Sequence, residues 1–206
     1  MEHAFWHARW AEGRIGFHQD EFNSQLQAYW LGLDVSSEGQ VFVPLCGKSG
    51  DMLWLREQGH PVLGVELNQS ACEAFFAERD AEPVVRQEGA YRYYGCDGVE
   101  LLCGDVFSLS EAQLQDVVAV YDRAALVALP PAMRQQYAQM LIEHLPAGVS
   151  VLLIAMEFEG DQGPPFSVGE DEVVALFSSR FQIRRLSERS GSTGRQDIAY
   201  QLTDKC

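Results

Sequence analysis

Short runs of consecutive apolar residues recur along the chain, and stretches with apolar residues at helical spacing lie between them. The most apolar runs predict buried strands at Gln40–Leu45, Pro61–Val65, Val117–Tyr121 and Val149–Phe158. Further strands are predicted at Tyr91–Gly95, Val99–Cys103, Phe181–Leu186 and Ile198–Leu202, and helices at His3–Trp10, Asn23–Leu33, Asp51–Gln58, Gln69–Arg79, Pro131–Leu145 and Glu170–Ser179. Because strands and helices alternate, the pattern predicts a doubly wound α/β sheet.

The stretch Val41–Asn68 contains the clearest candidate site. An apolar strand is followed by the small-residue turn Cys46–Gly50, a short helix that ends near Gly59, and a second apolar strand that ends at Glu66. Such a βαβ unit places a ligand at the carboxyl edge of its strands. An acid at the tip of the second strand can accept hydrogen bonds from the two vicinal hydroxyls of a ribose.

Three ligands suit this unit, and the residues of the turn match their requirements to different extents. A dinucleotide site requires G-x-G-x-x-G, but Leu45 stands in place of the first glycine. A nucleotide-phosphate loop requires G-x-x-x-x-G-K-[ST], whose end is matched by Gly47-Lys48-Ser49 while Phe42 replaces its first glycine. S-adenosylmethionine has no pyrophosphate and therefore needs fewer glycines. A purely structural turn is the fourth alternative.

Other candidate residues follow later strands or precede the first one. Asp105 and Val106 follow a predicted strand, where they could edge an adenine, although Asp105 could equally cap the next turn. The segment 1–35 carries many large aromatic side chains. We expect Trp6 and Trp30 to pack on the core, and Trp10 and Phe17 to fold over the site as a lid that excludes water.

Composition narrows the possible partners. The chain has 206 residues, enough for a single domain, and a net charge of −15 that would repel nucleic-acid phosphates. No apolar stretch is long enough to span a membrane, and the N-terminus lacks the apolar core of a signal peptide. The five cysteines lack metal-ligand spacing, so we expect reduced thiols, no metal and a cytoplasmic location. We also expect a monomer.

Four motifs together resemble the bacterial form of the thiopurine S-methyltransferase family. They are W-x-x-x-W-x(6)-F-H-Q at Trp6–Gln19, V-P-L-C-G-K-S-x-D at Val43–Asp51, G-V-E at Gly64–Glu66 and Y-D-R-x-A-L-V-A at Tyr121–Ala128. The resemblance implies a class I, Rossmann-like methyltransferase fold with a mostly parallel, seven-stranded sheet over residues 1–206 and an N-terminal helical lid. It also implies methyl transfer from S-adenosylmethionine to the sulfur of aromatic or heterocyclic thiols, with thiols or metalloids such as selenium as natural acceptors.

The same resemblance assigns roles to individual residues. It implies that S-adenosylmethionine contacts Trp10, the backbone of Leu45, Glu66 through its ribose, and Arg123 near its methionine end. Asp105 and Val106 match the positions that edge the adenine, and Phe17 matches the position that faces the acceptor. The only partner implied is a small-molecule thiol.

The chemistry makes few demands on acid or base groups. Ring thiols ionise readily and the leaving group is neutral, so alignment of the two reactants in a site without water supplies most of the rate acceleration. Arg123 could lower the thiol pKa or hold a water that takes the proton, or it could be a purely cofactor-binding or structural arginine. His18 is the alternative base, although a cap or packing role is commoner for a histidine at such a junction.

Three other functions remain open from the sequence. In a nucleotide hydrolase, Lys48 and Ser49 would hold phosphate and Asp122, at the end of an apolar strand, would bind a metal; otherwise Lys48 is a solvated loop residue or makes a local contact. A nucleic-acid methyltransferase conflicts with the acidic charge. A binding protein that senses S-adenosylmethionine without catalysis would show no methyl turnover.

Overall fold

The computed structural model describes residues 3–36, 39–160, 162–187 and 194–205. The strands are β1 Gln40–Pro44, β2 Val62–Glu66, β3 Val84–Glu88, β4 Tyr91–Cys96, β5 Val99–Cys103, β6 Val117–Arg123, β7 Ser150–Glu157, β8 Phe181–Arg185 and β9 Gln196–Asp204. The α-helices are α1 His3–Ala11, α2 Ser24–Tyr29, α3 Asp51–Glu57, α4 Gln69–Ala77, α5 Glu111–Leu114, α6 Pro131–His144 and α7 Glu170–Phe177. Short 3-10 helices span Trp30–Leu33, Val106–Ser108 and Leu126–Ala128.

All the strands belong to one sheet, in the order β3-β4-β5-β2-β1-β6-β7-β9-β8. The centre, from β5 to β7, is parallel throughout. At one edge β9 lies antiparallel between β7 and β8, and at the other edge β3, β4 and β5 form an antiparallel meander. The predicted α/β fold is therefore confirmed. Among the described residues, four strand pairs are parallel and four are antiparallel, so the parallel part is confined to the centre of the sheet.

The expected number of seven strands is too low, because the sheet has nine strands in the described part of the chain alone. The hairpin predicted at Tyr91–Cys103 is present, but it pairs on its outer side with β3, which the sequence pattern did not indicate. All five residues of β3 are exposed on this edge. A strand without a buried face has no apolar alternation, so hydrophobic periodicity cannot detect it.

Helices cover both faces of the sheet. One core contains Phe42, Leu63 and Val120 together with Tyr137 and Phe177 of α6 and α7. The opposite core packs other residues of the same strands against α2, α3 and α4, with Trp30, Met52, Trp54, Cys72 and Phe75 among its buried side chains. Each central strand is buried on both faces, as expected of a doubly wound sheet.

The segment predicted as one helix at Asn23–Leu33 is divided. Asn23 caps α2 by accepting hydrogen bonds from the backbone of Gln25 and Leu26, and the chain then tightens into a 3-10 turn at Trp30–Leu33. Trp30 packs in the core as predicted, and its indole N–H donates to His60 Nε2 at 3.1 Å. Within the described ranges, no helix has the length and apolar character that a membrane span requires.

Candidate active site

A cavity of about 570 Å³ opens at the carboxyl edge of the parallel strands. Residues from the ends of β1, β2, β5 and β6 line one side, and residues of α1 line another. The structure brings every predicted site residue to this cavity: Trp10, Phe17, Leu45, Glu66, Asp105, Val106 and Arg123. They meet there because parallel strands end at the same edge of a sheet.

The turn after β1 exposes backbone to the cavity. Leu45 and Gly47 adopt left-handed φ angles of 46° and 54°, and Cys46 N donates to Val65 O at 3.0 Å between them. A Cβ on Gly47 would lie 3.3 Å from the Trp10 ring. Glycine is therefore favoured at position 47 both by the backbone conformation and by the close approach of the indole.

Glu66 connects the turns that follow β1 and β2. Its Oε2 accepts from Gly47 N at 2.9 Å and its Oε1 from Asn68 N at 2.7 Å. Asn68 in turn caps α4 by accepting from Ser70 N at 2.9 Å. Each carboxylate oxygen retains a further lone pair, so the group can still accept hydrogen bonds from a ligand in the cavity.

The electrostatic state of Glu66 follows from its position. Burial raises the pKa of this carboxyl to about 7, although backbone N–H groups of Asn68, Gly47 and Leu67 act to lower it. The group therefore changes charge near neutral pH in the ligand-free protein. A ligand that donates hydrogen bonds to it favours the ionised form.

The raised pKa makes ligand-free stability depend on pH. The pKa of Glu66 in the folded protein lies above its ordinary value of 4.5, so the Glu66 carboxyl stabilises the folded protein fully below pH 4.5. This stabilisation is lost as the pH rises through 7. The Glu66→Gln variant has no titrating group at this position, so its stability lacks this pH dependence. Between about pH 5.5 and about pH 8, we therefore expect the unfolding free energy of wild type to fall by about 2 kcal/mol relative to that of the variant. Urea unfolding of both proteins across this range measures the difference. Parallel pH profiles would contradict the assignment.

Asp105 and Val106 follow β5 at the next strand tip. Asp105 Oδ1 accepts from Phe107 N at 3.0 Å, so the alternative capping role is realised, and Oδ2 lies 3.1 Å from His3 Nε2. Tyr91 donates to Asp105 O at 2.7 Å and fixes the turn. The adjoining wall of the cavity is apolar and contains Val106, Phe107, Leu129 and Met133. Such a wall suits the face of a flat heterocycle.

Arg123 ends β6 and links the strand to the N-terminal segment. Its Nη1 donates to Phe17 O at 2.9 Å, and the remaining guanidinium N–H groups are available for other partners. The next residue, Ala124, has a left-handed φ of 66° and also lines the cavity. Arg123 therefore joins the strand tip to the residue that was predicted to face the acceptor.

Asp122 does not behave as a metal ligand. Its Oδ1 accepts from Leu126 N at 3.2 Å and its Oδ2 from Tyr137 Oη at 2.7 Å, and burial raises its pKa to about 6. Phe42, in place of the first glycine of a phosphate loop, is fully buried. Among the described residues no cluster of His, Cys, Asp and Glu could hold a metal ion. These findings weigh against the nucleotide-hydrolase alternative.

Lys48 and His18 lie beside the turn and outside the main cavity lining. Lys48 pairs with Glu78, which lowers the pKa of that carboxyl, and 14% of the Lys48 side chain is exposed. Of the two roles predicted for Lys48, the local contact is therefore confirmed, and the role of a solvated loop residue is wrong. Burial lowers the pKa of His18, and its Nε2 lies 3.9 Å from Asp20 Oδ1.

Helix α1 is held over the strand tips along one face. His3 pairs with Asp105, Asn68 Nδ2 lies 3.1 Å from His7 Nδ1, and the Trp10 ring lies against Gly47. Residues 3, 7 and 10 share a face because they are four and three positions apart. No site role was predicted for His3 or His7 from the sequence, although their spacing to Trp10 could have indicated that both lie on the same face of α1 as Trp10.

Trp6 does not pack on the core as predicted, because it lines the cavity. Its ring meets Phe17 edge to face at 6.0 Å, and Phe17 meets Trp10 in the same way at 5.7 Å. The three rings form an aromatic cluster between α1 and the strand tips. Leu45 and Val127 are among the apolar residues that line the cavity with them.

Solved structures of methyltransferases share this fold. An S-adenosylmethionine-dependent methyltransferase from Anabaena variabilis superposes with a TM-score of 0.70 at 14% identity, covering 98% of this chain and 95% of its own. The Burkholderia thailandensis 1,6-didemethyltoxoflavin-N1-methyltransferase, solved with S-adenosylhomocysteine, gives 0.68 at 17% identity over 99% and 87%. The chain therefore has the fold of these methyltransferases, with its cavity at the carboxyl edge of the parallel strands.

Sequence comparison identifies the family. The family model for thiopurine S-methyltransferase matches residues 1–199. Thiopurine S-methyltransferases of Pseudomonas fluorescens strain Pf0-1 and Bordetella pertussis strain Tohama I are 47% and 49% identical over 191 residues, which are 92% of this chain and 88% and 87% of theirs. The chain belongs to the thiopurine S-methyltransferase family, so the resemblance seen in the sequence is confirmed.

Proposed function

We propose that this protein transfers the methyl group of S-adenosylmethionine to the sulfur of aromatic and heterocyclic thiols such as thiopurines. The products would be S-adenosylhomocysteine and an S-methyl thioether. The observation that carries the proposal is the convergence of the family's motif residues on one cavity of about 570 Å³ at the strand tips. A cavity of this size can hold both reactants together.

The residues present fit S-adenosylmethionine. Glu66 offers carboxylate lone pairs at the tip of β2, where vicinal ribose hydroxyls could donate to them. The apolar wall beside Val106 and Met133 suits the adenine, and Asp105 lies at its edge. The backbone turn at Leu45 and the cation of Arg123 lie near the methionine end in this arrangement.

The chemistry is an in-line displacement at the methyl carbon. Bound S-adenosylmethionine supplies a sulfonium-activated methyl group and leaves as a neutral thioether. The acceptor sulfur forms the new carbon–sulfur bond as the sulfonium bond breaks, and the thiol proton passes to solvent. The protein's task is to align the two sulfur atoms and to exclude water. Such alignment can supply roughly 7–11 kcal/mol in favourable cases.

Arg123 has a second role in the proposal. Its charge at the cavity wall favours the thiolate form of an acceptor, and its hydrogen bond to Phe17 O holds the aromatic cluster closed over the reacting atoms. A neutral general base is not required when the thiol arrives largely ionised. His18 therefore has no assigned step.

Direct assay tests the proposal. The purified protein is incubated with S-adenosylmethionine carrying a deuterated methyl group and with 6-mercaptopurine. Mass spectrometry is expected to find S-methyl product with the label and S-adenosylhomocysteine in equal amounts. Binding without turnover of any aromatic thiol would favour the alternative of a non-catalytic sensor, and methyl transfer only to nitrogen or oxygen acceptors would refute the sulfur assignment.

Phe17 provides a prediction about the acceptor. Its ring contacts Trp6 and Trp10 inside the cavity, whereas its backbone carbonyl holds Arg123. Phe17→Ala keeps the carbonyl and removes the ring, so we expect the acceptor KM to rise about tenfold and the S-adenosylmethionine KM to change by less than about threefold. Steady-state kinetics with each reactant varied measures both. A larger effect on the S-adenosylmethionine KM would place Phe17 on the cofactor side.

A further inference from the structure

The cavity lining is less acidic than the chain as a whole. Its lining contains three of the chain's 15 Lys and Arg residues, namely Arg9, Arg123 and Arg195, and three of its 30 Asp and Glu residues. One of those acids, Asp105, is already paired with His3. With equal numbers of cationic and acidic side chains, the lining can accept a ligand that carries negative charge, although the chain as a whole has a net charge of −15.

Arg9 lines the cavity but has no assigned part in the proposed cofactor site. None of the ion pairs formed among the described residues includes it. Its Nε is buried and has no hydrogen-bond partner in the described part of the chain. Its guanidinium carbon lies 5.3 Å from the centre of the Phe5 ring, which positions the group without neutralising it. Leaving a charged donor unpaired is costly unless a ligand completes it.

The orientation of α1 places Arg9 on the acceptor side. His3, His7 and Trp10 occupy the face that lies over the strand tips. Arg9 and Trp6 are three positions apart and share the neighbouring face, roughly a quarter-turn away by helical geometry. Trp6 contacts Phe17, the residue assigned to the acceptor. Helical geometry therefore places Arg9 on the Trp6 side of α1, and not on the face that carries His3 and Trp10.

We propose that Arg9 determines acceptor specificity by binding an anionic substituent, such as a carboxylate, on the ring of an aromatic thiol. The inference rests on the proposed function and narrows its substrate class. The guanidinium can bind a carboxylate in a bidentate manner, and the aromatic cluster can hold the ring. The substituent would orient the ring without taking part in methyl transfer.

Two acceptors and matched variants test Arg9. The acceptors are 3-mercaptobenzoate and its methyl ester, which share a thiol but differ in charge. Arg9→Gln removes the cation, and Arg14→Gln makes the same charge change at an exposed arginine that pairs with Glu12 outside the cavity. We expect Arg9→Gln to lower kcat/KM for the acid by about 10- to 100-fold and for the ester by less than about twofold. Arg14→Gln should change neither, and Arg9→Lys should lie between wild type and Arg9→Gln.

Each other result overturns the inference in a distinguishable way. Equal losses with acid and ester would show that Arg9 only packs the helix. Weaker S-adenosylhomocysteine binding in Arg9→Gln with no acceptor discrimination would move Arg9 to the cofactor. If both acceptors are methylated equally well with and without Arg9, this inference is refuted and the proposed function is not. If wild type methylates no thiol at all, both the inference and the proposed function are refuted.

Discussion

Replacing Glu66 with alanine is expected to weaken S-adenosylhomocysteine binding by about 100-fold or more, because two hydrogen bonds to a carboxylate are worth roughly 1.5–3 kcal/mol each. The carboxylate lies at the tip of β2 and is held by Gly47 N and Asn68 N. The substitution also frees these two donors, so the turns on either side of the cavity lose their common anchor. Isothermal titration calorimetry of both proteins measures the loss of affinity.

Two further variants separate ribose binding from general damage. Glu66→Gln keeps an acceptor oxygen and should lose less affinity than Glu66→Ala. Glu73→Ala removes the same charge from α4 outside the cavity lining, and should bind as wild type does. Unchanged affinity in a folded Glu66→Ala protein, with folding checked by circular dichroism, would refute the ribose assignment.

Arg123→Gln is expected to lower kcat/KM for aromatic thiols by about 100-fold, because it removes both alignment and electrostatic stabilisation of the thiolate. The guanidinium joins the end of β6 to Phe17 O and lines the cavity, so its loss affects the closure of the site and its charge together. Steady-state kinetics with 6-mercaptopurine over a pH series measures the effect and shows whether the thiol must ionise first.

Charge and geometry can be told apart at this position. Arg123→Lys retains the cation without the planar fork, so we expect a partial loss that is smaller for acceptors that are already ionised. Arg92→Gln, at an exposed arginine of β4 outside the cavity lining, is the matched control. A loss of less than about threefold in Arg123→Gln would reduce Arg123 to a structural residue of the strand end.

The central sheet and the location of the site were predictable from the sequence because they depend on local rules. Apolar runs gave the buried strands, and the small-residue turn after β1 marked the carboxyl edge. Glu66 could be singled out because it directly follows an apolar strand. Parallel strands then bring such tips together without any knowledge of side-chain packing.

Features that depend on long-range packing were not predictable in the same way. The exposed strand β3 exists because β4 offers an edge, so its own sequence carries no buried face. The position of Trp6 in the cavity lining depends on how α1 docks on Asp105, Asn68 and Gly47. Arg9 acquires its significance from the same docking. A large aromatic or charged residue in a leader helix has no preferred partner until the helix is placed.

Calorimetric titration of the purified protein with S-adenosylhomocysteine, with Mg-ATP as the parallel ligand, tests most directly whether the cavity at the strand tips is a methyl-donor site. We predict saturable one-to-one binding of S-adenosylhomocysteine, which is lost in Glu66→Ala, and no heat of binding on titration with Mg-ATP. Binding of Mg-ATP without a response to S-adenosylhomocysteine would contradict it and would identify Gly47-Lys48-Ser49 as a phosphate-binding loop.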